Sequence, residues 1–477
     1  MQRPDQPPLA WTRASLAVAI TYAAVLWVLS VLRYHLWLAH GDDLGLFQQG
    51  LWLLGHGHWL TPSSYTGHPI LSDAAAWVLI PLAAVYRVGG VWALLAVQAL
   101  CFASGYPLVL ELGRAIGTSP ARTRLLGWLY LLYPTVVGVA LYDFHPDAFA
   151  VPVSFGVALA LVRRRWGLYG GLLLALLAVK DTAGVVLLGL AVVCLVQRRW
   201  LVAAATAVAG LAGLAVDARL LLPALGQAVI SQWPSVYGYL GPTPQAGVAH
   251  LAAHPWLLVA PFAHLRSWEY LVWMVGPLVL FAVGGGRRIL NRWWLPALAV
   301  LEMNLLGHVA SLSSPFDEFA VWAVPFLFIA ALDALAGEAP PTVSRASRFA
   351  LPVAAIFFVV FAGQQVHSFW LNGPPNQAAL AAAVRRIPPA APVAAQDFVL
   401  PHVSDRIDAW HLAALLAGTR FPAGTYVLLD RRASDAIDAA ALPIIANRLQ
   451  TPGQATPVFS TAGVELYRLD QTLSGGA

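Results

Sequence analysis

Long blocks of apolar residues alternate with short polar stretches over most of the chain. A helix of about 20 apolar residues spans the hydrocarbon core of a membrane, and residues 15–38 and 349–370 have that length and character. The pattern therefore predicts a mainly α-helical, polytopic membrane protein with about eleven transmembrane helices. The predicted spans are residues 15–38, 91–113, 125–141, 147–162, 167–179, 182–197, 200–222, 268–286, 292–310, 319–336 and 349–370.

The positions of the arginines predict how these helices are oriented. Positively charged residues accumulate on the cytoplasmic side of membrane proteins, and Arg3 and Arg13 lie before or at the start of the first span. The N-terminus is then cytoplasmic, and residues 40–90 form a loop on the outer face. The apolar part of this loop, residues 70–88, should be re-entrant or interfacial, because a full crossing would place Arg114 on the outer side. The same reasoning places the C-terminus outside.

The composition changes near Asn372 from that of a membrane segment to that of a soluble domain. Beyond it, alternating and turn-bounded patterns predict several elements. They are strands at 393–396 and 425–430, a helix at 434–449, and a hairpin of residues 456–460 and 463–469. We therefore expect a transmembrane domain over residues 1–371 and a small extracytoplasmic α/β domain over residues 372–477.

The overall composition excludes an ordinary soluble protein. Of the 477 residues, 59% are hydrophobic and 11% are charged, whereas soluble domains carry about 25% charged residues. The net charge of +5 comes from arginines between apolar blocks, so it does not indicate binding of nucleic acid. Cys101 and Cys194 both lie within apolar blocks, and they provide neither a disulfide framework nor a metal site.

Ionisable residues gather on the predicted outer side of the membrane. Such groups are costly at membrane depth, about 2.5–3.5 kcal/mol each, so they tend to face a cavity and to carry function. We therefore expect an outward-facing polar cavity that is lined by members of this group. The group comprises Asp42, Asp43, His56, His58, His68, Asp73, Asp143, His145, Asp147, Lys180, Asp181, Asp317 and Glu318.

Each cluster of this group also has a purely structural interpretation. Asp43 can cap the short helix that follows it, since Asp is a preferred N-cap residue. Lys180, the only lysine of the chain, can pair with Asp181 at membrane depth, or it can bind a phosphate. The turn at residues 143–147 can be an ordinary solvated turn. The two acidic residues at 317–318 are best explained as the start of a helix.

Four sequence runs resemble a known family. They are DDLGLFQQGLW at 42–52, YDFHPDAFAVP at 142–152, PHVSDR at 401–406 and YVLLD at 426–430. From Asp42 to Leu469 the chain is similar to a bacterial membrane-protein family known as domain of unknown function 2079, or DUF2079. More broadly, it resembles the GT-C class of integral-membrane glycosyltransferases, in which an acidic residue follows the first span.

The GT-C resemblance implies an inverting glycosyltransferase of the bacterial cytoplasmic (inner) membrane, which takes a sugar from a polyprenyl-phosphate donor at the outer face. Asp43 matches the acidic position of the family's run and would be the general base, with Asp42 as the second choice. Lys180 and His145 would bind the donor phosphate. The other expected cavity-lining residues are His68, Asp73, Asp143 and Asp181.

Two departures from the family's pattern affect the predicted donor site. The family's Gly-Asp-His run reads Ser72-Asp73-Ala74 here, and its Lys-Glu-Asp run reads Val179-Lys180-Asp181. The cofactor is left open: a divalent cation is compatible with the acidic residues, but no ligand spacing identifies a metal site. The acceptor is also open, and membrane lipids are expected partners. The alternative functions are a lipid or polysaccharide transporter and a non-catalytic membrane scaffold.

Overall fold

A large helical body is followed by a small domain that contains the strands. The computed structural model describes residues 12–227, 233–284, 290–336, 352–353, 355–361, 363, 373–433 and 435–475. The predicted fold class, a mainly α polytopic membrane protein with a C-terminal α/β domain, is confirmed. The last predicted span, 349–370, lies largely outside the described residues, and the predicted domain boundary at residue 372 lies entirely outside them.

The helices of the body follow the apolar blocks of the sequence. Among the described residues, four segments are long and apolar enough to cross a membrane: Arg13–His35, Leu79–Ile116, Pro120–Leu141 and Trp200–Ala224. Other predicted spans coincide with shorter helices, and their total of about eleven stays a prediction. The α-helices in the described part of the body are Arg13–His35, Leu46–Gly55, Leu71–Ala74, Leu79–Ile116, Pro120–Leu131, Pro134–Leu141, Ala150–Val162, Trp166–Leu177, Ala183–Val196, Trp200–Val216, Leu222–Ala224, Trp233–Tyr237, Pro244–Ala253, Leu265–Gly284, Trp294–Leu306, Glu318–Val321 and Val324–Ala334.

Aromatic side chains pack between the central helices. The ring of Tyr130 meets Phe155 and Phe328 edge to face, with centroids 5.9 and 5.5 Å apart. The Tyr130 hydroxyl also donates to the Phe102 carbonyl at 2.7 Å, so the polar end of this buried ring is satisfied. These contacts hold four helices in fixed relative positions, and the turns at the ends of these and neighbouring helices carry the polar residues of the candidate site.

The helix Leu79–Ile116 contains a break at Gly90, where φ is 57° and ψ is −151°. Only glycine readily adopts this conformation. The part before the break, residues 79–89, is about 16 Å long at 1.5 Å per residue, about half of the hydrocarbon core. It packs on helix Leu46–Gly55, which belongs to the predicted outer loop. This geometry agrees with a non-spanning segment at 70–88, whose position relative to a membrane stays a prediction.

The C-terminal domain is built around a five-stranded sheet. The strands of the domain are β1 Val393–Ala395, β2 Ala409–His411, β3 Arg420–Phe421, β4 Tyr426–Asp430, β5 Ala455–Thr461, β6 Val464–Leu469 and β7 Leu473–Ser474. The order in the five-stranded sheet is β2-β1-β4-β6-β5; β1 is parallel to β2 and β4, and β6 is antiparallel to β4 and β5. A separate antiparallel pair joins β3 to β7. The α-helices are Gln377–Val384 and Ala441–Leu449.

The predicted helix at 434–449 forms only over Ala441–Leu449, and this part of the prediction was wrong. The Asp435 carboxylate accepts a hydrogen bond from the Asp438 N–H at 2.6 Å. Such a local side-chain bond gives the backbone an alternative to a helix. The segment before Ala441 therefore forms turns, and the side chain of Asp438 faces His411 of the neighbouring strand β2.

The C-terminal domain packs directly on the outer loop of the body. The Gln49 side-chain amide donates to the Ile407 carbonyl at 2.9 Å, and the Tyr65 hydroxyl lies 2.6 Å from the Ser404 hydroxyl. The domain and the loop therefore occupy the same side of the helical body, as the predicted topology requires.

Candidate functional site

Asp43 lies in a π-helical turn, Gly41–Gly45, just before helix Leu46–Gly55. Its carboxylate is 3.2 Å from the Nε2 atom of His145, and its side chain is 28% exposed. No side chain caps the helix Leu46–Gly55, so the capping role considered for Asp43 is not observed. Its carboxylate remains partly open to solvent beside a buried imidazole.

His145 is oriented by its own backbone and by its neighbours. Its backbone N–H donates to the Gln98 side-chain oxygen at 2.9 Å, and its ring atom Nδ1 lies 3.2 Å from the backbone carbonyl oxygen of Asp143. Its Nε2 therefore faces Asp43 and Glu318, at 3.2 and 3.7 Å. Burial opposes the charged ring, but Glu318 and Asp43 outweigh it and raise the pKa of His145 to about 10. His145 is therefore a cation at neutral pH.

Asp43 and Glu318 both line a cavity of about 300 Å³, at the lower end of the range of about 300–1,000 Å³ for ligand pockets. The polar lining also includes Tyr142, Ser311 and Asp317. Burial raises the pKa of Glu318 to about 7, although His145 and Lys180 work in the opposite direction. The cavity thus combines carboxylates and hydroxyls, the groups that bind sugar hydroxyls.

Lys180 occupies the turn between helices Trp166–Leu177 and Ala183–Val196. Its ammonium lies 3.4 Å from the Asp147 carboxylate, and the two side chains are 9% and 0% exposed. The same carboxylate accepts a hydrogen bond from the Trp322 indole at 2.6 Å. Burial opposes the charge of Lys180, but Asp147 and Glu318 raise its pKa above the ordinary value. Lys180 therefore stays charged in a buried position.

Lys180 also lines a second, mainly apolar groove of about 470 Å³. The other ionisable side chains of its lining include Asp73, Asp181 and Glu302, and its apolar lining includes Leu188 and Leu251. The groove and the cavity beside Asp43 share three lining residues. These residues are Val236, Leu312 and Phe319. An apolar channel with one cation thus meets an acidic cavity at a common wall.

Asp42, the neighbour of Asp43, faces the C-terminal domain. Its carboxylate lies 2.7 Å from the Nε2 atom of His411, and its side chain is 55% exposed. The backbone N–H groups of Gly41 and Asp42 both donate to Asp397, at 2.6 and 3.2 Å. Burial and the neighbouring Asp42 raise the pKa of Asp397 to about 7 despite nearby histidines. Asp42 thus contacts the C-terminal domain, whereas Asp43 contacts His145 and lines the cavity.

Three other predicted residues have contacts that suggest support of the fold. Asp143 accepts hydrogen bonds from the His40 backbone at 2.8 Å and pairs with Arg33 at 3.6 Å. The His68 carbonyl accepts the Ser63 N–H at 2.9 Å. Neither Asp143 nor His68 lines the two cavities described above. Asp181 lines the groove, but its carboxylate accepts the N–H of the next residue at 2.8 Å rather than pairing with Lys180.

Sequence reasoning did not select several residues that the fold brings to these sites. Glu318 had been interpreted as a helix start, which it is, but its side chain also reaches His145. Asp147 was noted but not assigned to the site, although it holds Lys180. Asp397 and His411 come from the C-terminal domain, and no local pattern connects them with the first loop.

Two groups of side chains in the described part of the chain could hold a metal ion. They are His40, Asp43 and Asp143, and Asp42, Asp397 and His411. In the first group, the guanidinium of Arg33 already lies 3.1 Å from the His40 ring and 3.6 Å from Asp143. That fixed cation offsets one of the two carboxylates of the group, so the second group suits a metal better.

Comparison with known proteins agrees with the fold. A family model described as "Predicted membrane protein (DUF2079)" matches residues 34–439. The chain is similar to the structure of ArnT from Cupriavidus metallidurans bound to undecaprenyl phosphate, with 14% identity and a TM-score of 0.51. That match covers 95% of this chain and 98% of the other. No curated protein sequence matches the chain.

The apo structure of the same ArnT is 13% identical over 97% of this chain and 98% of the other, with a TM-score of 0.40. At the 14% identity of the structure bound to undecaprenyl phosphate only the fold is shared, because function depends on the residues of the site. The chain has an ArnT-like fold, as the resemblance to the GT-C class implied, and the resemblance to the DUF2079 family is confirmed.

Proposed function

We propose that the chain, which belongs to the DUF2079 family of membrane proteins, is an inverting glycosyltransferase. Its donor is a polyprenyl-phosphate-linked sugar, used at the outer face of the bacterial cytoplasmic membrane. The observation that carries the proposal is the junction of the two cavities at Val236, Leu312 and Phe319. One cavity offers carboxylates for a sugar, and the other offers apolar walls and a cation for a lipid phosphate.

The donor is assigned to this junction by its chemistry. A polyprenyl chain is apolar and fits the groove, whose exposed lining is mainly hydrocarbon. Its phosphate needs a cation beside that groove, and Lys180, which lines it, is a compact charge suited to the role. The sugar would then enter the neighbouring cavity beside Asp43 and Glu318. The similar structure of ArnT is bound to undecaprenyl phosphate, which supports a donor with a lipid of this class.

The transfer itself is a single displacement at the anomeric carbon. The acceptor hydroxyl oxygen forms the new bond to that carbon as the bond to the phosphate oxygen breaks. Asp43 accepts the hydroxyl proton, and the phosphate leaves with its bonding electrons. The cations Lys180 and His145 stabilise the negative charge that develops on the leaving phosphate. Attack from the face opposite the phosphate inverts the configuration.

The orientation of the chain is the second part of the proposal. The N-terminus is cytoplasmic, and the C-terminal domain and Asp43 are extracytoplasmic, because arginines cluster at the opposite helix ends. Residues Arg165 and Ala423 are exposed and suit a labelling test. In intact cells, a membrane-impermeant thiol reagent should label a cysteine at 423 and not one at 165; the reverse pattern would refute the orientation.

Asp43→Asn tests the chemistry. Asparagine keeps the size of the side chain but cannot accept the proton, so transfer from a radiolabelled polyprenyl-phosphate sugar pool should fall by about 10²–10⁴-fold. Asp42→Asn is the matched control and should reduce transfer far less, since Asp42 faces His411 rather than the cavity. Binding of polyprenyl phosphate should persist in both variants.

Equal transfer by Asp43→Asn and the wild type would contradict the proposed base, and Glu318→Gln would then identify the other carboxylate of the cavity. A lipid or polysaccharide transporter would move lipid across vesicle membranes without forming a glycosidic bond. A non-catalytic scaffold would show no transfer with any donor, so the same assay separates the three functions.

A further inference from the structure

The interface between the C-terminal domain and the outer loop contains a buried histidine that faces two carboxylates. His411 ends strand β2, and its side chain is only 8% exposed. Its Nε2 lies 2.7 Å from Asp42 and 3.9 Å from Asp397. Both ring nitrogens face carboxylates, but neither makes a hydrogen bond of good geometry within the described residues. A buried polar group normally has such a bond, so this imidazole is held by charge rather than by oriented hydrogen bonds.

We infer that Asp42, Asp397 and His411 bind a divalent transition-metal ion of the zinc type between the two domains. The three ligand atoms all lie within 4.8 Å of one another. Ligand atoms around a tetrahedral zinc ion are about 3.4 Å apart, because the bonds are about 2.0–2.2 Å long. The observed separations of 2.7 and 3.9 Å bracket that value. One imidazole and two carboxylates form a ligand set that zinc accepts.

The surroundings of His411 favour metal binding through Nε2. The other ring nitrogen, Nδ1, faces the Asp438 carboxylate at 3.6 Å. Asp438 is itself fixed, since it accepts the N–H groups of Asp397 and Ala413 at 2.9 and 2.7 Å. A carboxylate behind a histidine commonly orients metal ligands and makes the ring more basic. Asp438 is therefore a positioning residue, and it lies in the turn before helix Ala441–Leu449.

The charge at the interface also favours a cation. Three carboxylates, those of Asp42, Asp397 and Asp438, surround one imidazole. The group at His40, by contrast, already has the guanidinium of Arg33 against it. The Asp42 side chain is 55% exposed, so a metal can enter from solvent and keep water as a further ligand.

The site would connect the C-terminal domain to the turn that carries Asp43. One ligand, Asp42, is the residue before Asp43, and another, Asp397, already binds the backbone of Gly41 and Asp42. The ion would fix this turn without touching the cavity. The inference does not depend on the proposed transfer reaction, because metal binding is measured directly.

The test uses the purified full-length protein in detergent, freed of metal by a chelator. Zinc is added back, and bound zinc is measured by mass spectrometry after desalting, with magnesium as a comparison ion. The wild type should retain one zinc ion per chain and melt at a higher temperature with zinc than without it. Asp42→Asn and His411→Gln should lose the ion, and Asp438→Asn should bind zinc about 10- to 100-fold more weakly.

His40→Gln is the matched control, since it removes the imidazole of the other candidate group. It should retain the ion. Asp42 is half-exposed, so its variant should fold even if His411→Gln does not, and zinc should no longer raise its melting temperature. Absence of zinc binding, zinc retention by Asp42→Asn, or zinc loss in His40→Gln would each overturn the inference.

Discussion

The buried pair of Lys180 and Asp147 allows a phosphate-binding role to be separated from a structural one. Lys180→Met keeps an unbranched side chain but removes the charge. Asp147 would then be an uncompensated carboxylate, fully buried and held only by Trp322. Breaking a buried ion pair by removing one partner costs about 3–5 kcal/mol. The single variant should therefore be much less stable, and any loss of activity would be ambiguous.

The double variant Asp147→Asn with Lys180→Met removes that ambiguity. It has no unpaired charge, and the asparagine oxygen can still accept the hydrogen bond from the Trp322 indole. Its melting temperature in detergent should return close to that of the wild type. Its affinity for polyprenyl phosphate should still be lower, because a hydrogen bond to a charged group contributes about 1.5–3 kcal/mol. That corresponds to roughly a 10- to 150-fold higher Kd.

The matched control is Asp147→Asn alone, which also breaks the ion pair and should be less stable than the wild type. Because it keeps Lys180 and removes the competing carboxylate, it should bind the lipid phosphate at least as tightly as the wild type. Binding is measured by titrating short-chain polyprenyl phosphate into each purified variant. If the double variant is restored in stability and binds the lipid phosphate as the wild type does, then Lys180 is only a counter-ion for Asp147.

Two further predictions concern the contact between the domains. His402 stacks on Tyr34 and Trp37 with ring centroids 4.3 and 3.8 Å apart, and burial lowers its pKa to about 3. The unfolded chain therefore binds the proton more readily below about pH 6.5, so stability should fall by up to about 2–3 kcal/mol at about pH 4.5; His402→Phe should flatten the melting temperature against pH, and an unchanged profile would contradict this. A Cβ atom on Gly41 would lie 2.8–2.9 Å from three side chains of the C-terminal domain, so Gly41→Ala should increase protease cleavage between the domains, whereas Gly55→Ala, with 3.5 Å of room, should not.

The helices and strands could be predicted largely from the sequence, because hydrophobic periodicity and length are local properties. Among the described residues, the predicted spans coincide with helices near the expected places, although 125–141 and 319–336 are each divided into two helices. The predicted span 349–370 lies largely outside the described residues. The strands at Val393–Ala395 and Tyr426–Asp430 also formed as predicted. The helix predicted before Ala441 did not form, since the side chain of Asp435 competes for the backbone N–H groups.

The pairing of Asp43 with His145 could be anticipated, because both residues were predicted on one side of the membrane. The role of Glu318 could not, since its sequence context is that of any helix start and only the fold brings it within 3.7 Å of His145. The contacts of Asp42 with His411 were equally inaccessible. They join segments that are hundreds of residues apart, and no periodic pattern encodes which loop a separate domain will cover.

The hydrogen bond from Gly41 to Asp397 connects residues that are 356 positions apart in the chain. During synthesis, Asp397 and His411 emerge more than 350 residues after the turn that carries Asp43. The surroundings of Asp43 can therefore be completed only after the C-terminal domain has been made and folded. A chain that stops before Asp397 could form the helices of the body but would leave this turn unsupported. The architecture thus makes completion of the turn a late event of folding.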